Sequence, residues 1–181
     1  HEFLARRIAA KGTKRIFVDK PGVSDAASWW NMCKTNEGTQ FHLVKNNLYR
    51  DNYGETLELF KSSEIIGVDI NWLNDNRIPN PGSWFTTKEM GFGGVSRDLM
   101  PHLFCFAIKL FGEEDMLSEP FFQGCYQRWG LHNITSTKYG AVNPFGIYDV
   151  DDIAQAAGTI KNISLRMTAS WKEGYDKQSI T

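Results

Sequence analysis

The stretch DIAQAAGTIKNISLRMTASW, residues 152–171, decides the fold class of this chain. In its second half, residues 163–171, apolar and polar side chains alternate strictly, which is typical of a strand with one buried and one polar face. The first half is also strand-like, and Lys161-Asn162 stands between the two halves as a short turn would. The pattern therefore predicts a β-hairpin within an antiparallel sheet.

Two other segments have strand character. In IIGVDINWLND, residues 65–75, the alternation places four side chains on one face: Ile66, Val68, Ile70 and Trp72. FFQGCYQRW, residues 121–129, is also strand-like. These segments extend the sheet that the hairpin predicts.

Helices are predicted at residues 24–36, capped by Ser24, and at residues 98–111, which form the most apolar helix and end at Gly112. A shorter helix is expected at residues 52–62. Together these elements predict an α+β fold, with an antiparallel (mixed) open-faced sheet that carries helices on one face.

Residues 1–22 follow a different pattern, that of parallel α/β proteins. EFLARRIAAK is an amphipathic helix with Phe3, Leu4 and Ile8 on one face, and RIFVDK is a short apolar strand of the kind buried in a parallel sheet. Such a strand needs parallel neighbours, and no obvious ones stand upstream. We therefore expect residues 1–22 to be the end of a mostly missing domain. Residues 23–181 would form the α+β domain, itself possibly cut short at its end.

The overall composition excludes several functional classes. A formal net charge of −1 argues against a general nucleic-acid binder, and no apolar run approaches the ~20 residues that span a bilayer. Cys33, Cys105 and Cys125 form neither a CxxC motif nor an even disulfide framework, which fits a reducing cytoplasm. We expect a cytoplasmic protein with no metal site and no nucleic-acid or membrane partner.

The candidate chemistry lies in GGVSRDLMPHLFCF, residues 93–106. Asp98 and His102 are four residues apart and would share one helix face, and Pro101 is tolerated only in a first turn, which places both at the helix start. Two interpretations stay open. In one, Asp98 caps the helix and His102 is a hydrogen-bonded helix residue; in the other, the two residues form a proton-transfer pair.

Two neighbouring features bear on that choice. GFGG, residues 91–94, lets the backbone pass close to another group, but it is not a phosphate loop, because it follows no strand of a βαβ unit and the chain lacks GxGxxG. Lys20 follows the predicted parallel strand at the end where open α/β sheets bind ligands. A lone lysine at such a place is nevertheless more often a surface residue.

In their order and spacing these segments resemble the Gfo/Idh/MocA (glucose–fructose oxidoreductase / inositol dehydrogenase) family. The resemblance rests on DKP after a helix and strand, a second strand ending near Arg50, SSEIIG before the alternating strand, and GGVSRDLMPH with LFG closing the helix. It runs from residue 1 to about residue 171. Asp19 replaces the family's usual Glu, and Met100 replaces the usual Gly and would place a side chain near the site.

The resemblance implies an NAD(P)-dependent oxidoreductase that transfers hydride between nicotinamide and a hydroxyl or carbonyl of a sugar or polyol. Residues 1–22 would end its nucleotide-binding Rossmann domain, and the rest would be mainly its C-terminal domain. NAD or NADP would be bound mainly by the missing domain, so we expect the fragment alone to be inactive.

The resemblance also assigns roles. Lys20, Asp98 and His102 would be catalytic, and Lys20 with Pro21 would contact the cofactor across a cleft shared with His102. His102 would shuttle the proton, Asp98 would orient the imidazole, and Lys20 would hold the reacting oxygen or the nicotinamide ribose. Further candidates for substrate or cofactor contact are Asn47, Arg77 and Trp84. The Lys20–Pro21 peptide is expected to be cis.

Two alternatives to an enzyme remain: a ligand-sensing regulator without catalysis, and a dimerisation domain with the same fold. Joint retention of Lys20, Asp98 and His102 favours the enzyme. Family members commonly associate through the open sheet face, and the polar face of residues 163–171 must meet water or another subunit. We therefore expect a homo-oligomer, with a homodimer as its basic unit.

Overall fold

The computed structural model describes residues 1–118, 123–127 and 136–181, and it divides into two compact units, His1–Asn47 and Leu48–Thr181. The first unit extends well beyond residue 22, where the sequence pattern placed the boundary. The reason is that the strand Gln40–Val44 pairs with the strand Arg15–Asp19 and belongs to the same unit.

The first unit contains two helices and two strands: α1 (Glu2–Ala9), β1 (Arg15–Asp19), α2 (Ala26–Lys34) and β2 (Gln40–Val44). β1 and β2 are parallel, with Arg15 opposite Gln40 and Asp19 opposite Val44. The parallel neighbour that β1 requires therefore lies downstream of it, across α2. Its core is formed by Ala5, Ala9, Ile16, Val18, Val23 and Met32.

The helices of this unit differ in two ways from the usual outcome of their sequence patterns. The apolar face of α1 is exposed, with Phe3 68% accessible, because α1 packs on the core through its small residues Ala5 and Ala9.

The N-cap of α2 is Asp25 and not Ser24, which the sequence had predicted. The Asp25 carboxylate accepts a hydrogen bond from Ser28 N at 2.8 Å, and Ser24 donates its hydroxyl to the same carboxylate. These hydrogen bonds, above all the one from Ser28 N, hold the pKa of Asp25 below its usual value. The cis Lys20–Pro21 peptide was predicted correctly.

The helices of the second unit begin after a 3₁₀ turn at Asn46–Tyr49, which spans the division between the units. They are α3 (Asp51–Ser62), α4 (Lys88–Gly91), α5 (Val95–Asp98), α6 (Met100–Phe111) and α7 (Glu113–Ser118). α3 packs on α6 through the ring pairs Tyr53–Phe106 and Phe60–Phe111, each with centroids 5.2 Å apart.

The sheet of the second unit is mixed. Its strands are β3 (Gly67–Asp75), β4 (Gln123–Gln127), β7 (Ile153–Ile160), β8 (Ile163–Glu173) and β9 (Lys177–Ile180), in the order β4-β7-β8-β3-β9. β3 and β8 are parallel, which the long connection between them allows, and the other neighbours are antiparallel. Two short strands, β5 (Ser136–Thr137) and β6 (Gly140–Ala141), pair separately.

The predicted α+β fold and the β7–β8 hairpin are confirmed. Lys161 and Asn162 have φ of 49° and 67°, the left-handed values that a two-residue hairpin turn requires. On β8 the predicted apolar face is buried under α6, whereas Ser164 and Arg166 on the opposite face are exposed. Ser170 departs from this pattern, since it is fully buried.

The strand prediction for residues 65–75 is modified by the structure at its start. Val68 and Ile70 are buried as expected, but Ile66 is exposed because it precedes the first residue of β3. Of the predicted strand at residues 121–129, β4 covers Gln123–Gln127, and residues 121, 122, 128 and 129 lie outside the described ranges.

Among the residues that the structure describes, no helix combines the length and apolar character needed to cross a membrane.

Candidate functional site

Asp98 and His102 do not lie in one continuous helix, contrary to the sequence prediction. Asp98 is the last residue of α5, Leu99 separates the two helices, and His102 lies in the first turn of α6. The break follows from Pro101, whose ring would clash with the carbonyl of residue 97 if α5 and α6 were continuous. Asp98 is also not the cap of α6, because Leu99 occupies that position.

The carboxylate of Asp98 is instead held by the sheet. Its Oδ2 accepts a hydrogen bond from the indole Nε1 of Trp171, at the far end of β8, at 3.0 Å. Trp171 is only 1% exposed, so the donor of this bond is buried in the core of the unit. The capping interpretation of Asp98 is therefore wrong.

His102 is buried, with 8% of its surface accessible, and stacks on Trp72 of β3. The ring centroids are 5.0 Å apart and the planes differ by 27°. The same Trp72 ring lies under the guanidinium of Arg50, with Cζ 5.3 Å from the ring centroid. The imidazole of His102 thus has a fixed plane, set by a residue of the sheet rather than by α6 alone.

A cavity of about 280 Å³ opens beside Asp98. Five of the residues around it carry polar or charged groups that can meet a ligand, and two are apolar. The lining consists of Arg77, Pro79, Asn80, Ser83, Phe85, Asp98 and Tyr139. The structure therefore brings together two of the predicted site residues, Asp98 and Arg77.

The other predicted residues, His102 among them, do not belong to this lining. Trp84 is half-exposed and stacks on Phe85, with centroids 3.8 Å apart, so it adjoins the cavity through its neighbour. Met100 is buried in the hydrophobic core and does not line the cavity. Lys20, Pro21 and Asn47 belong to the first unit, with Lys20-Pro21 directly after β1. That they share a cleft with His102 stays a prediction.

Arg77 is fixed by both its backbone and its side chain. Its N–H donates to the carbonyl of Trp171 at 2.8 Å, and its Nη2 donates to Asp176 Oδ2 at 3.0 Å. Asp176 also accepts from the backbone N–H of Asp75 at 2.9 Å, and this bond, with the nearby Arg77 and Lys138, keeps the pKa of Asp176 below its usual value.

Lys138 brings the turn that carries Tyr139 to the same place. Its Nζ lies 2.8 Å from Asp75 Oδ2, and this hydrogen bond raises the pKa of Lys138. Its backbone N–H donates to the carbonyl of Asn76 at 3.0 Å. The chain after β3, the turn before β9 and the turn between β5 and β6 are thus joined at the rim of the cavity.

The backbone of Asp98 is set by a contact at the start of α5. The carboxylate of Asp151 accepts from Gly94 N at 3.1 Å, from Ser96 N at 2.7 Å and from Ser96 Oγ at 2.8 Å. A Cβ at Gly94 would lie 1.8 Å from the carbonyl oxygen of Asp151. The close backbone approach that GFGG indicated is therefore the approach of Gly94 to Asp151.

A larger depression, of about 500 Å³, lies beside this contact. It is lined by Lys88, Phe92, Gly93, Ser96, Asp149, Val150 and Asp151. Its two carboxylates already have structural partners, since Asp149 accepts from Lys88 N and Asp151 caps α5. Among the described residues, no group of three His, Cys, Asp or Glu side chains is arranged to hold a metal ion.

Asp152 is a buried acid next to this contact. It has no accessible surface, and burial raises its pKa to about 7, opposed mainly by its backbone hydrogen bond and by Lys172. Nearby, burial raises the pKa of Tyr148 above its usual range. The sequence pattern distinguishes neither residue, because two Asp residues before a strand are typical of an ordinary turn.

The sequence analysis also missed Trp171, Asn80 and Tyr139. Trp171 was assigned to the buried face of its strand, and that assignment is correct. A buried indole nevertheless needs an acceptor for its N–H, and this requirement was the one available signal. Asn80 and Tyr139 lie in loops, where no pattern in the sequence distinguishes them.

No family model and no curated protein matches this chain. Solved structures match nearly all of it. GenD2 from gentamicin A biosynthesis, in complex with NAD, is 18% identical with a TM-score of 0.75, over 99% of this chain and 48% of that one.

Two more matches are of the same kind. Levoglucosan dehydrogenase, 20% identical with a TM-score of 0.73, covers 100% of this chain and 48% of its own, and it is also solved with NADH and levoglucosan. An aldose–aldose oxidoreductase from Caulobacter crescentus, complexed with glycerol, is 16% identical with a TM-score of 0.72, over 95% of this chain and 48% of its own. The chain thus spans about half the length of the solved proteins it matches and has the fold of that half.

Proposed function

We propose that this chain is part of an NAD(P)-dependent oxidoreductase of the Gfo/Idh/MocA type, which transfers hydride between nicotinamide and a hydroxyl or carbonyl of a sugar or polyol. The observation that carries the proposal is the place of Asp98: the acid of the GG…DxxxH segment lines a cavity in a unit whose fold is that of sugar oxidoreductases. Several matched structures are described with NAD or NADH, which supports the cofactor class.

The cofactor would meet this chain at Lys20 and Pro21. These residues follow β1 at the C-terminal end of a parallel strand pair, the edge at which α/β sheets bind ligands, so their place fits a contact with the cofactor. NAD or NADP, when bound, supplies the hydride acceptor or donor. The sequence has no GxGxxG loop for the phosphates, so we propose that this part alone is inactive.

In the oxidation direction, His102 would accept the proton that the substrate hydroxyl loses as its carbon gives up hydride. An imidazole suits this step because it gains and loses a proton near neutral pH. Trp72 holds the plane of His102, and Asp98 would orient the imidazole and balance its charge. Lys20 would neutralise charge developing on the substrate oxygen. The reverse reaction returns the same proton.

The cavity supports a small polar substrate. Its volume of about 280 Å³ is near the lower end of the range for small-molecule pockets, ~300–1,000 Å³. The guanidinium of Arg77, the hydroxyls of Ser83 and Tyr139 and the amide of Asn80 can each hydrogen-bond a hydroxyl, while Phe85 offers an apolar wall. This combination suits a monosaccharide or similar polyol. Trp84 and Asn47 are further proposed contacts with the substrate or the cofactor.

We also propose a cytoplasmic homo-oligomer that associates through the open sheet face. On that face Arg166 Nε lies 3.6 Å from Asp69 Oδ1, and Ser164 is also exposed. Such a polar face can still form an interface, since non-obligate interfaces are about as polar as ordinary protein surface.

The test is an absorbance assay of nicotinamide reduction by the full protein, with NAD and NADP against a panel of sugars and polyols. We expect activity with at least one pair, and a loss of about 10²–10⁴-fold in kcat for His102→Asn and for Lys20→Met. His42→Asn and Lys34→Met, changes of the same kind at other places, should retain wild-type rates. Undiminished activity in His102→Asn would refute the assignment of the proton shuttle.

A further inference from the structure

Trp171 contacts two of the residues that line the cavity. Its indole Nε1 donates to Asp98 Oδ2, and its backbone carbonyl accepts from the N–H of Arg77. Its own N–H donates to the carbonyl of Asp152 at 3.0 Å, which anchors this end of β8 to the residue before β7. A single buried residue thus ties the cavity wall to the sheet.

The bond between Trp171 and Asp98 works in one direction. An indole N–H is a donor only, so Trp171 cannot exchange a proton with the carboxylate. A donor aimed at one carboxylate oxygen fixes the rotation of the group. The bond from Trp171 to Oδ2 thus sets how the carboxylate is presented to the cavity that Asp98 lines.

The backbone of Asp98 is held independently of this bond. α5 is fixed at its start by Asp151, which accepts three hydrogen bonds there, and by the close approach of Gly94. Removal of the indole N–H alone should therefore leave α5 in place and change only how the carboxylate is held. This separation makes the role of the bond measurable.

We propose that Trp171 is a positioning residue for Asp98, which holds the carboxylate in one orientation at the cavity during hydride transfer. The inference rests on the proposed function, because it acts through the role given there to Asp98. It adds a residue 73 positions away in the sequence to the chemistry of the GG…DxxxH segment.

The test is a double-mutant cycle in the full protein with Trp171→Phe, Asp98→Asn and both changes together. Phe keeps most of the ring and removes the donor. We expect Trp171→Phe to lower kcat about 10–100-fold, the range for a lost hydrogen bond to a charged group, with KM changed less than about 3-fold. In the Asp98→Asn background the same change should cost less than about 2-fold, because the uncharged amide cannot balance the charge of His102 and its orientation therefore matters little.

Trp30→Phe is the matched control, since Trp30 is exposed and belongs to the first unit; it should keep wild-type rates. Equal losses from Trp171→Phe in the wild-type and Asp98→Asn backgrounds would show that Trp171 acts on packing alone and would overturn the proposal. Complete absence of dehydrogenase activity in the wild-type protein would refute the proposed function itself.

A second readout does not depend on activity. The chain has six tryptophans, and the indole N–H resonance that disappears in Trp171→Phe identifies Trp171 in a spectrum of protein labelled with ¹⁵N-tryptophan. We expect Asp98→Asn to shift this resonance, because the acceptor loses its charge. An unchanged resonance would mean that the indole does not contact Asp98, and the proposal would fall whatever the protein catalyses.

Discussion

At the scale of single residues, the sequence indicated candidate side chains for the chemistry but not what holds them. The spacing of Asp98 and His102 is local and was visible in the sequence. Their supports, Trp171 and Trp72, come from strands whose alignment with α5 and α6 depends on tertiary packing. Local patterns do not encode such alignment, so these partners could not be predicted.

Gly94 is the residue at which this architecture is most sensitive. In Gly94→Ala the new methyl would lie 1.8 Å from the carbonyl oxygen of Asp151, so α5 must move or the cap must break. We expect the free energy of unfolding to fall by about 3 kcal/mol or more, as for other large backbone clashes. Activity should also fall in the fraction of protein that stays folded.

Gly54→Ala is the matched control for that change. A Cβ at Gly54 meets nothing within 4 Å, and the residue lies inside α3. Since alanine favours a helix over glycine by ~1 kcal/mol, Gly54→Ala should raise the melting temperature slightly. Similar thermal denaturation curves for the two variants would contradict the role given to the Gly94 contact.

Asp152 predicts a pH dependence of stability. Its pKa in the folded protein is about 7, above the ordinary value of 3.8, so the folded state favours the protonated acid. The free energy of unfolding should therefore fall as pH rises from about 4 to about 7, and it should level off above the folded pKa. Asp152 contributes at most about 4 kcal/mol to this fall. Denaturant unfolding of wild type and Asp152→Asn between pH 4 and pH 8 measures it. A loss of the same size in both proteins would exclude Asp152 as the source.

At the scale of elements, strict alternation was the reliable signal and helix continuity the unreliable one. The β7–β8 hairpin follows from residues 152–171 because strand period and turn geometry are both local. The predicted helix at residues 98–111 is broken at Leu99, since the restriction that proline imposes outweighed the apolar pattern. The parallel pairing of β3 with β8 was not predicted, because nothing in either strand specifies so distant a neighbour.

The turn between β8 and β9 carries a prediction about substrate affinity. Asp176 pairs with Arg77, and both side chains are about half exposed. Exposed ion pairs contribute little to stability, so Asp176→Asn should leave the melting temperature nearly unchanged. Arg77 would lose the partner that orients its guanidinium at the cavity. We therefore expect KM for the substrate to rise several-fold, with kcat unchanged. A change in kcat alone would argue against this role.

At the scale of the whole molecule, the polar sheet face predicts how subunits associate. Arg166→Glu would place two acids side by side, Glu at 166 and Asp69, and Thr168→Glu would add another charge to the same face. We expect light scattering to show a wild-type dimer or larger oligomer, and a shift towards monomer in both variants. Lys109→Glu, a reversal on the exposed surface of α6, is the control. A wild-type monomer at tens of micromolar would exclude the interface.

The central claim is that a carbon-bound hydrogen of a sugar passes to nicotinamide at the site formed around Asp98 and His102. The direct measurement uses the full protein with NAD or NADP and sugars deuterated at carbon, and follows deuterium in the reduced dinucleotide by mass spectrometry. We expect label in the dinucleotide for at least one sugar, and labelling about 10²-fold or more slower in His102→Asn. Absence of label with every sugar and both cofactors, or equal labelling by His102→Asn, would contradict it.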